Sequence, residues 1–193
     1  MSEIIHPGGG VLYMKIGIHA EEPLEKIIAR KRKEIEDEGF GMWGYGGNTC
    51  HPKTMVQPFA RMFEERGEEI YLCMEEMDSK HYAERLRADQ YSADGETWQD
   101  VRPRINVIGS RFALVIKSLE TVELELALAQ TQVAVGPSQG RAGDRYIQGR
   151  VDKACLEVIQ PVQGTNLPEG TTKPIKLVAE IIKPYAVFLR TRS

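Results

Sequence analysis

The second half of this chain is built from short apolar runs, which restrict it to folds that contain a β-sheet. Phe112–Ile116 is apolar throughout, as is typical of a strand buried on both faces. Residues 122–128 alternate apolar with acidic or small side chains, as is typical of a strand with one exposed face. We expect these two strands to pair with each other through a turn. We expect further strands at 154–159 and 175–182, the latter ended by Pro184.

The first half of the chain adds helices to this sheet. Residues 11–18 alternate as a strand, and residues 21–38 carry apolar side chains at helical spacing. Gly39 follows, and glycine favours the left-handed conformation at helix ends. A shorter helix is expected near Pro58, and a strand is expected to begin at Ile70. We therefore predict an α+β fold in which two main helices lie on a mixed or largely antiparallel sheet.

The composition agrees with a single domain over residues 1–193. A chain of 193 residues, 41% of them hydrophobic, can bury a core without disulfides or metal ions. Its three cysteines share no CxxC spacing, and its first residues lack the pattern of a signal peptide, so we expect a cytoplasmic protein. No apolar run approaches the roughly 20 residues that cross a bilayer, so we expect no membrane partner. The net charge of −3 argues against duplex nucleic acid as a partner.

The most unusual segment is residues 39–48, which contain five glycines and three aromatic side chains. The glycine spacing matches a dinucleotide-binding pattern, but a helix precedes it where that fold needs a strand, so we exclude a Rossmann domain. We expect a loop in which Phe40, Trp43 and Tyr45 stack on a ligand or enclose it, with Asn48 available for its polar edge. The alternative is a structural loop whose aromatic side chains only fill the core.

Two neighbouring residues, Cys50 and His51, could supply the nucleophile and the base of an enzyme. Adjacent side chains in an extended segment point in opposite directions, so a direct pair is not expected. Glu75, near the end of a strand, is a candidate acid for the same chemistry. The alternative is a semi-buried thiol beside a histidine that orients the loop. We predict no metal site from these residues.

A second glycine-rich segment, residues 136–150, contains three arginines. Arg141, Arg145 and Arg150 lie among glycines, whose N–H groups can form anion sites, and guanidinium groups bind phosphate through paired hydrogen bonds. Gln139 is available for a base or a sugar. No Gly-Lys-Ser/Thr sequence is present here, so hydrolysis of a nucleoside triphosphate by a P-loop is not expected. The alternative is a surface hairpin held by arginine–aspartate pairs.

Together these features predict a protein that binds a small phosphorylated ligand, such as a nucleotide or a nucleotide-derived signal, without a cofactor. The aromatic segment would hold the base, and the arginines would hold the phosphates. A homo-oligomer is expected by analogy with other small ligand-binding domains. Two other classes stay open: an enzyme that modifies such a ligand with Cys50 or His51, and a structural or assembly protein without a small ligand.

Overall fold

The computed structural model describes residues 5–81, 83–148, 151–160 and 172–191, apart from the side chains of 78–81. Within these residues, ten strands form one mixed sheet that is accompanied by three helices, which agrees in outline with the α+β prediction. The strands are β1 Gly10–His19, β2 Gly41–Tyr45, β3 Ile70–His81, β4 Gln90–Ser92, β5 Gln99–Asp100, β6 Phe112–Ile116, β7 Glu120–Ala127, β8 Thr131–Val133, β9 Lys153–Val158 and β10 Thr172–Arg190. The helices are α1 Leu24–Glu38, α2 Gln57–Glu65 and α3 Gly143–Tyr146, with a π-helical turn at Pro52–Val56 and a 3-10 turn at Leu128–Gln130.

The main path of the sheet runs in the order β2-β6-β10-β3-β1-β9-β8. Strand β7 pairs with β10, and β4 pairs with both β10 and β5. The pair β1–β3 is parallel, and the other described strand pairs are antiparallel. Strands β4 and β5 form a hairpin whose connection contains Asp94-Gly95, a dipeptide that favours turns.

Strand β10 is the longest and organises the sheet. One of its edges pairs with β7 over 172–178 and then with β6 over 181–188, while the other edge pairs with β3 and β4. The predicted pairing of β6 with β7 is therefore wrong, because both strands lie end to end along one edge of β10. The prediction that Pro184 ends the strand is also wrong, since the chain continues past it with a shift in register between Ile181 and Ala186.

Helix α1 ends where the sequence predicts, and its apolar side packs against β1 and β2. Leu24, Ile27 and Ile28 are buried on that side. Gly39 caps the helix with a φ of 83°, a left-handed conformation that costs glycine little. No helix in the described part of the chain is long and apolar enough to cross a membrane.

The sheet is buried on both faces, as the alternating side chains of β1 show. Leu12 and Met14 belong to the larger hydrophobic cluster, which includes side chains of α1 and α2. Val11 and Tyr13 belong to a second cluster, which includes side chains of β7 and β9. The period of two along β1 therefore divides its side chains between two cores.

The segment predicted as a glycine-rich loop is only partly a loop, because Gly41–Tyr45 forms β2 and pairs with β6. Glycine is required at position 44, since a Cβ there would clash with the hydroxyl of Ser110. Residues 46–50 are the part of the segment that remains irregular.

The sheet curls so that its β2 end returns toward β9. Four strands separate β2 from β9 in the sheet order, yet Cys50, just after β2, contacts Cys155 in β9 with 3.8 Å between the two Sγ atoms. Helix α1 packs against both β1 and β2 and so spans the gap between them. A cavity lies in this gap.

Candidate functional site

A cavity of about 680 Å³ lies between α1, the C-terminal part of β1 and the loop that follows β2. Met77 and residues of 107–110 and 151–153 complete its lining. Small-molecule sites in proteins usually have volumes of about 300–1,000 Å³. The cavity is therefore a candidate ligand site of nucleotide size.

Apolar and aromatic side chains form one part of the lining, namely Ile16, Leu24, Ile27, Trp43 and Tyr45. Trp43 and Tyr45 are each 4% exposed, so they act as walls and not as free stacking platforms. The Tyr45 hydroxyl donates a hydrogen bond of 2.7 Å to the carbonyl oxygen of Cys50. Burial raises the pKa of Tyr45, which therefore stays a neutral donor. This part of the cavity suits a flat or apolar portion of a ligand.

The loop after β2 contributes backbone donors, and we call residues 46–49 the amide loop. All four of its residues line the cavity: Gly46, Gly47, Asn48 and Thr49. Within the described residues, none of their backbone N–H groups has a hydrogen-bond acceptor. Gly47 has a φ of 91°, a left-handed conformation that glycine adopts without strain. Unpaired N–H groups that line a cavity are suited to an anion.

Lys153 places a buried ammonium group next to the amide loop. It pairs with Met14 in the β1–β9 ladder, and it is only 5% exposed. A Cβ on Gly47 would lie 3.2 Å from its Nζ atom, which shows how close the loop and the ammonium are. Its ion-pair partner is Asp152, whose Oδ1 lies 2.8 Å away and whose side chain is 51% exposed. Among the described residues Asp152 is the one acceptor for this ammonium, which leaves two of its three N–H donors without a partner there.

Two cationic side chains of α1 also line the cavity. Arg30 is paired with Glu22, but its buried Nε has no hydrogen-bond partner in the described part of the chain. The Lys31 ammonium donates to Glu34 and to the carbonyl oxygen of Asn106. Burial lowers the pKa of Lys31 to about 8. Arg30 therefore contributes a cationic side chain to the lining although its Nε atom is buried, whereas the donors of Lys31 are used within the protein.

The structure places the residues predicted for ligand binding in different regions. Trp43, Tyr45 and Asn48 line the cavity. Phe40 does not, and the guanidinium of Arg102 lies over its ring at 5.6 Å. The exposed side chains of Gln139, Arg141 and Arg145 are also outside the lining, and Arg150 lies outside the described residues. The segment 136–148 nevertheless approaches the turn after the amide loop, since a Cβ on Gly136 would clash with Met55.

The three catalytic candidates do not form a catalytic group in the described structure. Cys50 is buried and contacts Cys155. His51 accepts hydrogen bonds through Nδ1 from the backbone N–H groups of Lys53 and Thr54, so it caps the π-helical turn. Glu75 accepts a hydrogen bond from the hydroxyl of Tyr13.

The residues that sequence reasoning did not assign to a site are Lys153 and Arg30. Lys153 begins an apolar strand and has no motif around it, and its position beside Gly47 depends on the pairing of β9 with β1. Arg30 lies in a run of charged residues that resembles an ordinary exposed helix face. A lysine at the start of a mostly apolar strand was the available signal for Lys153.

The described residues contain no group of three or more His, Cys, Asp or Glu side chains that could hold a metal ion. No protein-family model matches the chain, and comparison with curated proteins and with solved structures found no significant similarity. The geometry of the cavity is therefore the basis for a functional proposal.

Proposed function

We propose that this protein binds a small phosphorylated ligand of nucleotide size in the cavity, with the phosphate on the amide loop and Lys153. The observation that carries the proposal is that the four residues of the amide loop, whose backbone N–H groups have no acceptor among the described residues, line the same cavity as the buried Lys153. Phosphate oxygens accept hydrogen bonds from this combination of donors. Burial of Lys153 strengthens its attraction for a ligand anion, because water screens the charge less.

The rest of the cavity supports a ligand with an aromatic or apolar body. Trp43, Leu24 and Ile27 provide a wall that fits a flat ring. Arg30 also lines the cavity, and its guanidinium group is the second cation that a polar group of the ligand would meet there. A nucleotide has this division into a flat base and a charged phosphate.

The proposal assigns the phosphate to Lys153 instead of to the arginines of 136–150. Arg141 and Arg145 are exposed and do not line the cavity. Binding is favoured over catalysis because Cys50, His51 and Glu75 are engaged in separate contacts. The three free thiols suit the reducing cytosol, which is the proposed compartment, and a homo-oligomer remains an expectation.

Titration calorimetry with inorganic phosphate and with a panel of nucleoside monophosphates, diphosphates and cyclic nucleotides tests this proposal. We expect Lys153→Met to weaken the best binder roughly tenfold or more, because a charge-assisted hydrogen bond is lost. The fold should tolerate this change, since Asp152 is 51% exposed and keeps its hydration.

Arg141→Met is the matched control, because it removes an exposed cation that is outside the cavity lining. We expect its affinity to stay within about twofold of the wild type. A loss of binding in Arg141→Met with none in Lys153→Met would contradict the proposal and favour the arginine segment. Recovery of the bound nucleotide unchanged after heat denaturation supports a binding protein, and recovery of an altered nucleotide shows an enzyme.

A further inference from the structure

Cys50 and Cys155 form a buried thiol pair beside the candidate ligand site. Their Sγ atoms are 3.8 Å apart, and each residue is 1% exposed. They are 105 positions apart in the chain, on the loop after β2 and on β9. The third cysteine, Cys73, is also buried, but the described structure gives it no thiol partner. Two of the three cysteines are therefore already in contact before any oxidation.

The backbone is locally strained where it brings these two thiols together. Cys50 has a φ of 59°, in the left-handed region that L-residues other than glycine, asparagine and aspartate rarely adopt. The hydroxyl of Tyr45 holds the carbonyl group of Cys50 in this arrangement. Such conformations persist where the surrounding structure imposes them, and they are frequent at functional sites.

The thiol pair joins the two segments that hold the proposed phosphate site. Cys50 directly follows the amide loop, and Cys155 lies two residues after Lys153 on β9. A covalent bond between the two sulfurs would fix the end of the amide loop to the strand that carries Lys153. The same bond would join the loop after β2 covalently to β9, where these two parts of the curled sheet are in contact.

We propose that Cys50 and Cys155 form a reversible disulfide in response to hydroperoxides, which tethers the amide loop to β9. In the first step, one thiol sulfur attacks the peroxide oxygen, which gives a sulfenic acid and releases an alcohol, or water when the oxidant is hydrogen peroxide. The second thiol then attacks the sulfenic sulfur, the S–S bond forms, and water is released. The two thiols lose two electrons, and the O–O bond of the peroxide accepts them.

The reduced pair is stable until an oxidant is present. The hydrogen bond with Cys50, followed by burial, raises the pKa of the Cys155 thiol well above its ordinary value. Since the thiolate is the reactive form, the raised pKa slows the oxidation of Cys155. For the disulfide to form, the sulfurs must approach from 3.8 Å to a bond length of about 2.05 Å.

Thiol counting on the full chain tests the proposal without any ligand. The protein is treated with hydrogen peroxide, the peroxide is removed, and the protein is denatured, alkylated and analysed by intact mass and peptide mapping. We expect three alkylated cysteines before oxidation and one afterwards, on Cys73, with a Cys50–Cys155 cross-linked peptide that dithiothreitol releases. The thermal midpoint should rise by about 5 °C on oxidation, since the disulfide closes a long loop.

The Cys73→Ala variant is the control, because it removes the cysteine outside the pair and should lose both alkylation sites on oxidation. Cys155→Ala should keep two alkylation sites and show no rise in the thermal midpoint. Three alkylated cysteines in the oxidised wild type, a stable oxygen adduct on Cys50 alone or a covalent dimer would each overturn the proposal. The thiol count does not depend on phosphate binding, so its result is separate from that of the proposed function.

Discussion

Lys31 and Glu34, one turn apart on α1, together bind both backbone groups of Asn106. The Lys31 ammonium donates to the Asn106 carbonyl oxygen at 2.9 Å, and a Glu34 carboxylate oxygen accepts from the Asn106 N–H at 2.8 Å. The two side chains are also ion-paired at 3.0 Å and are 3% and 1% exposed. This buried pair holds the segment around Asn106 against α1. The next two residues, Val107 and Ile108, line the cavity.

Removal of the Lys31 ammonium should destabilise the protein strongly. Lys31→Met leaves a buried carboxylate on Glu34 and an unpaired carbonyl on Asn106. We expect the free energy of unfolding, measured with urea, to fall by about 3 kcal/mol. Lys33→Met is the control, because it removes a 69% exposed lysine from an ion pair on the same helix, and its effect should stay below about 0.5 kcal/mol. Equal effects of the two variants would show that the buried pair does not hold the segment.

The same lysine predicts a pH dependence of stability. Burial lowers the pKa of Lys31 in the folded protein to about 8, from its ordinary 10.5. Between these values the unfolded chain binds more protons than the folded chain, so stability rises with pH over this interval. This increment is lost as pH falls toward 8, where the contribution of the charged ion pair remains. We expect the difference in unfolding free energy between the wild type and Lys31→Met to grow from about pH 7.5 to about pH 9.5.

The unfolding free energy of the wild type must be compared with that of Lys31→Met, because other titrating groups change stability with pH in the opposite direction. Burial raises the pKa of Cys73 to about 12. The contribution of this thiol to folding stability is therefore lost as pH rises above the ordinary pKa of cysteine. Both proteins contain Cys73, and its contribution cancels in the difference. A difference that stays constant or falls over this range would contradict the lowered pKa of Lys31.

Gly47 and Gly140 offer a matched test of the amide loop. Both have left-handed φ values, 91° and 90°, so alanine at either position should cost about 1 kcal/mol of unfolding free energy. A Cβ on Gly47 would also crowd the Lys153 ammonium at 3.2 Å, whereas a Cβ on Gly140 would have no atom within 4 Å. We expect Gly47→Ala to weaken phosphate or nucleotide binding about tenfold and Gly140→Ala to leave it unchanged, as measured by calorimetry. Similar affinities for the two variants would place the anion elsewhere.

Local periodicity predicts those parts of the fold that depend on neighbouring residues. The apolar run of β6, the helical spacing of α1 and the stop at Gly39 are all confirmed. The partner of β7 was predicted incorrectly, because pairing depends on the length of β10, which accommodates β6 and β7 on one edge. From sequence alone, the glycines of β2 predict a loop. In the structure, Gly44 lies in a strand and has no room for a Cβ, because Ser110 packs closely against it.

The candidate site was predictable only where its residues are close together in sequence. Trp43, Tyr45 and Asn48 stand out in one unusual segment, and all three line the cavity. Lys153 lies 106 positions after Gly47 and reaches it through the register of β9 with β1, which no local pattern contains. The arginine content of 136–150 predicted a phosphate site at Arg141 and Arg145, but composition alone does not show which loop lines a cavity.

The position of β10 in the sheet has a consequence for how the chain reaches its folded state. Hydrogen bonding connects β2 with β6, and separately connects β3, β1, β9 and β8, and in the described residues these two groups are joined through β10. Both groups come from residues before 159, so they emerge from the ribosome ahead of the strand that unites them. Until β10 is added, no backbone hydrogen bonds join these two part-sheets within the described residues, and their open edges invite pairing with other chains. Cooperative folding of the whole sheet therefore begins after residue 190 has left the ribosome.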